Sequence, residues 1–283
     1  MRRETVVRGF AALAGAGALG GCGTARVLRD RVRGCGDAAI PPDDGEIIMV
    51  RGDLPTKRTG ASIRYALATP ADVDPHHIAA VAYVLPGRGA TAEGVLVGLG
   101  FRGFLAALSR AKAAPMILAT IDAGESYFHA RTSGEDRLAA VTVDLAKFVR
   151  ELAGRPVREA LIGQSMGGYG ALLAAEREPA RYRAVAVAGP ALFPSYADER
   201  ASVGDAFDDR ADFARNDVIG HASRLRGVPV MVRCGDQDPF APAVRAFATR
   251  CPSADVRIVR GCHTDGFWRA TATELLKFTA AHL

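Results

Sequence analysis

The stretch Val157-Arg158-Glu159-Ala160-Leu161-Ile162-Gly163-Gln164-Ser165-Met166-Gly167-Gly168-Tyr169-Gly170-Ala171-Leu172 decides the fold. Val157–Ile162 is a short, mainly apolar run of the kind that forms a strand covered on both faces. Gly163-Gln164-Ser165-Met166-Gly167 follows at once, and a helix is predicted from there to about Glu178. A strand that turns this sharply into a helix forces the serine into a strained backbone conformation. Only glycine neighbours avoid collision there, and the hydroxyl is left exposed at the tip of the turn. The predicted helix also points its positive N-terminal end at that hydroxyl.

Working outward in both directions, the same alternation recurs. Strands are predicted at Glu46–Arg51, Ser62–Ala68, Ile78–Leu85, Met116–Ile121, Val157–Ile162, Val185–Ala188, Val228–Cys234 and Val256–Val259. Helices are predicted at Leu99–Lys112, Arg137–Leu152, Ala241–Thr249 and Phe267–Leu283. In Arg137–Leu152 the apolar residues Leu138, Val141, Leu145, Phe148, Val149 and Leu152 follow the i, i+3, i+4 rhythm of a helix with one buried face. Strand–helix alternation of this kind implies an α/β fold. Its central sheet is mostly parallel, flanked on both faces by helices and closed by right-handed crossovers. In such sheets the ligand site lies at the carboxyl ends of the strands. The chain of 283 residues, 49% hydrophobic and 24% charged, is long enough for one large core, and the composition excludes disordered, collagenous and coiled-coil classes. Its net charge of +5 does not mark a nucleic-acid protein, because the excess lies before residue 34, where seven arginines face only Glu4 and Asp30.

A serine hydroxyl becomes a nucleophile only when a base takes its proton, and the base needs an orienting carboxylate. In this motif class both follow the serine, in the order Ser, Asp, His. His263, in the loop after the last strand, occupies the base position; His221 reads as a surface residue, and His76 and His77 as turn residues. Two aspartates end the preceding strand. Asp238, in Gly235-Asp236-Gln237-Asp238-Pro239, has the spacing of the acid, and Asp236 reads as a turn residue. Asp265 reads as the cap of the final helix. Two backbone N–H groups are needed to hold developing negative charge. They are assigned to Met166, after the serine, and to Arg88, in Leu85-Pro86-Gly87-Arg88-Gly89. Tyr127, His129 and Arg131 are expected to line a substrate pocket, and Arg88 with Arg131 would favour an anionic substrate. The only excursion that could form a lid lies between Gly189 and Gly227, so a small lid or none is expected.

The N-terminus reads as an export signal. Arg2, Arg3 and Arg8 precede an uncharged small-residue run from Gly9 to Gly21, and Leu19-Gly20-Gly21-Cys22 resembles a lipobox. The expected organisation is therefore a twin-arginine-like signal at 1–21, a lipid on Cys22, a tether over 22–45 and the folded domain over 46–283. Export into an oxidising compartment leaves Cys35, Cys234, Cys251 and Cys262 for up to two disulfides, with three pairings open. No Cys or His spacing suggests a metal site, and no cofactor motif is present.

The string Gln164-Ser165-Met166-Gly167-Gly168-Tyr169-Gly170-Ala171-Leu172 resembles the esterase D and antigen-85-like esterases of the α/β-hydrolase fold. The resemblance extends to Asp122-Ala123-Gly124-Glu125-Ser126-Tyr127-Phe128-His129 and to Cys262-His263-Thr264-Asp265-Gly266-Phe267-Trp268, and it covers residues 46–283. The sequence departs from the family pattern at Pro86 and Cys262, where His and Gly are common. The family contains S-formylglutathione hydrolases, feruloyl and acetyl xylan esterases, and mycolyltransferases. The resemblance, together with the signal, implies an exported serine esterase of the cell envelope acting on a small-molecule or envelope ester. The alternatives are an acyltransferase of the mycolyltransferase type and a non-catalytic envelope binding protein with the same fold.

Overall fold

The computed structural model describes residues 34–60, 62–74, 78–113 and 115–283. Eight strands form one sheet in the order β1-β2-β4-β3-β5-β6-β7-β8. They are β1 (Ile47–Pro55), β2 (Ser62–Pro70), β3 (Ala80–Leu85), β4 (Ile117–Ile121), β5 (Arg158–Gln164), β6 (Tyr182–Ala188), β7 (Val230–Gly235) and β8 (Asp255–Val259). Strand β2 runs antiparallel to both its neighbours, and every other pairing is parallel. The helices used below are α1 (Phe101–Arg110), α2 (Ala146–Ala153), α3 (Met166–Arg177), α4 (Tyr196–Ser202), α5 (Arg210–Arg215), α6 (Ala241–Arg250) and α7 (Asp265–His282). Helix α2 is entered through one turn at Arg137–Ala139 and a π-helical stretch at Ala140–Leu145. All eight expected strands are present, as are all the expected helices; α4 and α5, short and polar, lie in the segment read as a possible lid.

All six residues of β3 are buried, and their alternation divides the core. Val81, Tyr83 and Leu85 face one layer with Leu161, Val185, Val187 and Leu172 of α3. Ala80, Ala82 and Val84 face the other, with Ile162, Ala184, Ala186, Ala188 and residues of α1 and α7. This period of two is what a strand buried on both faces must show. Arg233, in the middle of β7, is buried but matched: it donates to Glu274 of α7 (2.7 and 3.0 Å) and to Asp255 of β8 (2.7 Å).

The register sets where function can sit. Leu85 is level with Gly163, Gln164 with Ala188, Ala188 with Arg233, and Gly235 with Val259. The parallel strands therefore end along one edge, and the loops after β3, β5, β7 and β8 meet there.

One expectation about the chain outside the sheet needs correction. The signal at 1–21, Cys22, the tether up to residue 33, and His76 and His77 lie outside the described residues. The described part of the supposed tether, however, is attached to the domain. Cys35 is disulfide-bonded to Cys262, Asp37 pairs with Arg269 of α7 (2.9 Å), Asp43 pairs with Arg102 of α1, and Arg110 donates to the Pro42 carbonyl (3.2 Å). The domain thus begins near Cys35 instead of residue 46. The disulfide pairing, left open by the sequence, is Cys35–Cys262 among the described residues, and Cys234 and Cys251 are buried free thiols. Among the described residues, no helix is long and apolar enough to cross a membrane.

Candidate active site

Ser165 stands between the last residue of β5 and the first of α3, at φ 53°, ψ −123°. It is one of three non-glycine residues with positive φ among those described, a conformation that costs an L residue about 1–3 kcal/mol. The flanking glycines show why the turn can exist. A Cβ on Gly163 would lie 2.3 Å from the Gly167 carbonyl oxygen, and one on Gly167 would lie 1.9 Å from the Leu85 carbonyl oxygen. A side chain at Gly163 would force the turn itself open, and one at Gly167 would push the turn off the end of β3.

The side chains that the sequence placed at three strand ends come together. Ser165 Oγ is 2.9 Å from His263 Nε2, and His263 Nδ1 is 2.8 Å from Asp238 Oδ2. An ionised carboxylate can only accept, so the ring proton sits on Nδ1 and Nε2 is free to accept from the serine hydroxyl. Asp238 is buried and its second oxygen accepts the Phe240 N–H (2.9 Å), which fixes the carboxylate plane. Asp236 is a structural residue, accepting the Gly261 N–H (3.1 Å) at the base of the histidine loop. His221 is half-buried at the start of a short 3₁₀ turn, Ala222–Leu225. Thr264, not Asp265, caps α7 by accepting the Phe267 N–H (3.3 Å); Asp265 occupies the first turn of the helix.

Sequence reasoning missed the residues that hold the histidine ring. Phe240 and Trp268 flank it edge-on, each with its ring centre 5.2 Å away. The signal available was their position, two residues after Asp238 and five after His263.

The loop after β3 sits against the serine: a Cβ on Gly87 would lie 3.6 Å from Ser165 Cβ. Gly87 through Thr91, Gly94, Gly98, Leu99, Gln164, Ser165, His263, Asp265 and Trp268 line a cavity of about 610 Å³. The N–H groups of Met166 and Arg88 take no backbone or side-chain acceptor among the described residues, as donors reserved for a ligand should.

The three expected pocket residues are placed elsewhere. Tyr127 is buried against Tyr169, Phe193 and Phe207. His129 is fully buried and stacked on Phe207, donating from Nε2 to Asp212 (3.1 Å) while Nδ1 accepts from the Tyr169 hydroxyl (2.9 Å). Burial holds its pKa down at about 4, against the opposing pull of Asp212, so the ring is neutral. Arg131 is tied to Asp208 and to the carbonyls of Asp205 and Ala206. These residues bury the segment that carries α4 and α5 and line no part of the cavity beside Ser165. Arg88 pairs with Glu125 (3.0 Å) and bidentately with Asp205 (2.8 and 2.7 Å), so neither arginine offers an uncompensated charge to an anion.

Residues 62–269 match the family described as "Putative esterase". The chain belongs to this esterase family. The esterase is a carboxylic ester hydrolase built on the α/β-hydrolase fold. It is similar in fold to a ferulic acid esterase, at 18% identity and a TM-score of 0.73, over 84% of this chain and 100% of the other. An S-formylglutathione hydrolase from Agrobacterium tumefaciens superposes with a TM-score of 0.70 at 18% identity, over 88% of this chain and 98% of the other. MPT51 of Mycobacterium tuberculosis superposes with a TM-score of 0.61 at 15% identity, over 82% and 99%. No curated protein matches the sequence.

Proposed function

We propose that the esterase hydrolyses carboxylic esters through an acyl-enzyme on Ser165, with His263 as base and acid and Asp238 as the orienting carboxylate. The observation that carries this is the hydrogen-bonded line from Ser165 Oγ through His263 to Asp238, at 2.9 and 2.8 Å. In the first half-reaction Oγ attacks the ester carbonyl carbon while its proton passes to Nε2. The carbonyl oxygen becomes an oxyanion held by the Met166 and Arg88 N–H groups and by the N-terminus of α3. Collapse breaks the bond to the alcohol oxygen, which leaves with the proton from Nε2. Water then adds to the acyl carbon, giving its proton to Nε2, and collapse releases the acid and restores the serine hydroxyl. Asp238 stabilises the imidazolium formed in both halves without taking its proton.

An alcohol in place of water would turn the same steps into acyl transfer. We also place the protein outside the cytoplasm, anchored through a lipid on Cys22. This reading is supported by the paired arginines, the lipobox-like Leu19-Gly20-Gly21-Cys22 and a disulfide of the kind formed in oxidising compartments.

The test is turnover of p-nitrophenyl esters from acetyl to palmitoyl by wild type and Ser165→Ala, with fluorophosphonate labelling alongside. Turnover and labelling that vanish in the variant are expected. Equal turnover by both proteins would refute Ser165 as nucleophile. A folded wild type with neither turnover nor labelling would leave a binding protein, and labelling with turnover only in the presence of an alcohol would identify an acyltransferase.

A further inference from the structure

The Arg88 N–H is useful as an oxyanion donor only if the turn that presents it is held still. On one side the backbone does this. Gly89 N–H donates to the Gly124 carbonyl (2.8 Å), Ala90 N–H to Gly87 (3.1 Å) and Ala123 N–H to Ala90 (2.9 Å), so the turn is strapped to the loop after β4. The Arg88 side chain adds anchors of its own. Its Nε donates to Glu125 (3.0 Å), in that same loop, and its Nη1 and Nη2 fork onto both carboxylate oxygens of Asp205 (2.8 and 2.7 Å), in the segment between α4 and α5. A planar fork on a carboxylate fixes direction as well as distance, which a single lysine contact could not do.

Asp205 is itself presented in a fixed position. Its carbonyl oxygen accepts from Arg131 Nη2 (3.0 Å), and the next carbonyl, of Ala206, accepts from Arg131 Nη1 (3.0 Å). Ala206 N–H donates to Glu199 of α4 (2.8 Å), whose side chain is fully buried, and Asp208 takes Arg131 Nε (2.9 Å). Four polar contacts therefore set the backbone around a carboxylate that is itself 60% exposed. An exposed pair adds little to fold stability, so its elaborate support calls for another explanation.

We infer that Asp205 is a positioning residue for the oxyanion-binding turn. Its bidentate pair with Arg88 makes the segment between α4 and α5 part of the catalytic apparatus and not merely a cover. The inference rests on the reading of Arg88 N–H as an oxyanion donor. Losing one such donor lowers kcat about 10²–10³-fold; a turn left in place but loosened should lose part of that, on the order of tenfold.

The experiment compares wild type, Asp205→Asn, Asp205→Glu, Arg88→Ala and the Asp205→Asn/Arg88→Ala double variant on p-nitrophenyl acetate, with melting temperatures measured in parallel and Ser165→Ala as the inactive reference. The Arg88→Ala chain keeps the N–H and loses both side-chain anchors. Expected are a fall in kcat of roughly tenfold for Asp205→Asn and Arg88→Ala, KM within about twofold and an unchanged melting temperature. The double variant should be no worse than Arg88→Ala alone, because both changes remove the same contact. Asp205→Glu, which keeps the carboxylate, should retain more kcat than Asp205→Asn. Wild-type kcat in Asp205→Asn, with Ser165→Ala inactive, would overturn the positioning role while leaving the nucleophile assignment intact. A loss confined to KM would overturn it too, by showing that Asp205 meets the substrate directly. Activity surviving in Ser165→Ala would instead overturn the underlying reading.

Discussion

Replacing Cys35 by serine should cost the esterase several degrees of thermal stability and bring its behaviour under oxidising and reducing conditions together. The Cys35–Cys262 bond joins residues 227 apart in sequence. In the chain-entropy model, a loop of that length removes about 5 kcal/mol of freedom from the unfolded chain; measured values for native disulfides are more often about 2–4 kcal/mol. Unfolding entropy of about 2.1 cal/mol/K per residue gives roughly 0.5 kcal/mol/K for a domain of about 250 residues, so a loss of about 3 kcal/mol lowers Tm by about 6 °C. The remaining contacts of residues 37–43, chiefly Asp37 with Arg269 and Asp43 with Arg102, are partly exposed ion pairs and cannot replace the bond. The assay is thermal unfolding of wild type and Cys35→Ser, each with and without a thiol reductant. Cys234 and Cys251 are already free and buried, and burial pushes the Cys234 thiol up, away from reactive thiolate. Reductant should therefore lower the wild-type Tm to that of the variant and leave the variant unmoved. Cys262 immediately precedes His263, but Asp236 and Gln237 also hold Gly261 (3.1 and 3.0 Å), so kcat should fall only about two- to threefold. A variant Tm within 1 °C of oxidised wild type, or an equal response of both proteins to reductant, would refute the reasoning.

Two further perturbations follow from the same physical terms. Ser165→Gly should be inactive yet more stable than Ser165→Ala. It releases about 1–3 kcal/mol of backbone strain against an entropic cost of about 0.5–1 kcal/mol, a net of about 1 kcal/mol or about 2 °C in Tm; a glycine variant that melts below the alanine variant would contradict this. Glu176 of α3 is buried, its carboxylate has no partner among the described residues, and burial lifts its pKa to about 9. The folded state therefore holds a proton that the unfolded state releases, and stability falls as pH rises from about 4.5 through 9. His129, held down at about 4, acts oppositely: its contribution is intact above about 6.5 and lost as pH falls towards 4. Glu176→Gln should thus gain on wild type steadily between pH 5 and 9 in pH-resolved melting curves, and a constant difference across that range would show that Glu176 is not the group responsible.

Much of this protein is written locally in its sequence. The alternation of apolar runs with amphipathic stretches marks all eight strands, because burial on one or both faces demands a fixed period. Gly163, Ser165 and Gly167 mark the turn, because only glycine tolerates carbonyl oxygens at about 2 Å from where a Cβ would be. The order Ser165, Asp238, His263 then suffices to name the hydrogen-bonded line that the structure assembles, since parallel strands end on one edge and the loops after β5, β7 and β8 meet there. What the sequence left open was decided by contacts between segments far apart. Cys35 could have paired with any of three cysteines until the N-terminal segment was laid along α1 and α7. Tyr127, His129 and Arg131 follow a strand that ends at the site, so they read as pocket residues, but the segment carrying α4 and α5 packs over them: Phe207 meets the rings of Tyr127 and His129, Asp212 takes His129 Nε2, and Asp208 takes Arg131. Arg88 read as a free cation until Asp205, 117 residues later, met its guanidinium. Periodicity and turn chemistry act through neighbours in the chain and so can be read from it. The direction of a loop side chain is set by whichever distant segment packs against it, and only the tertiary structure brings that segment into place.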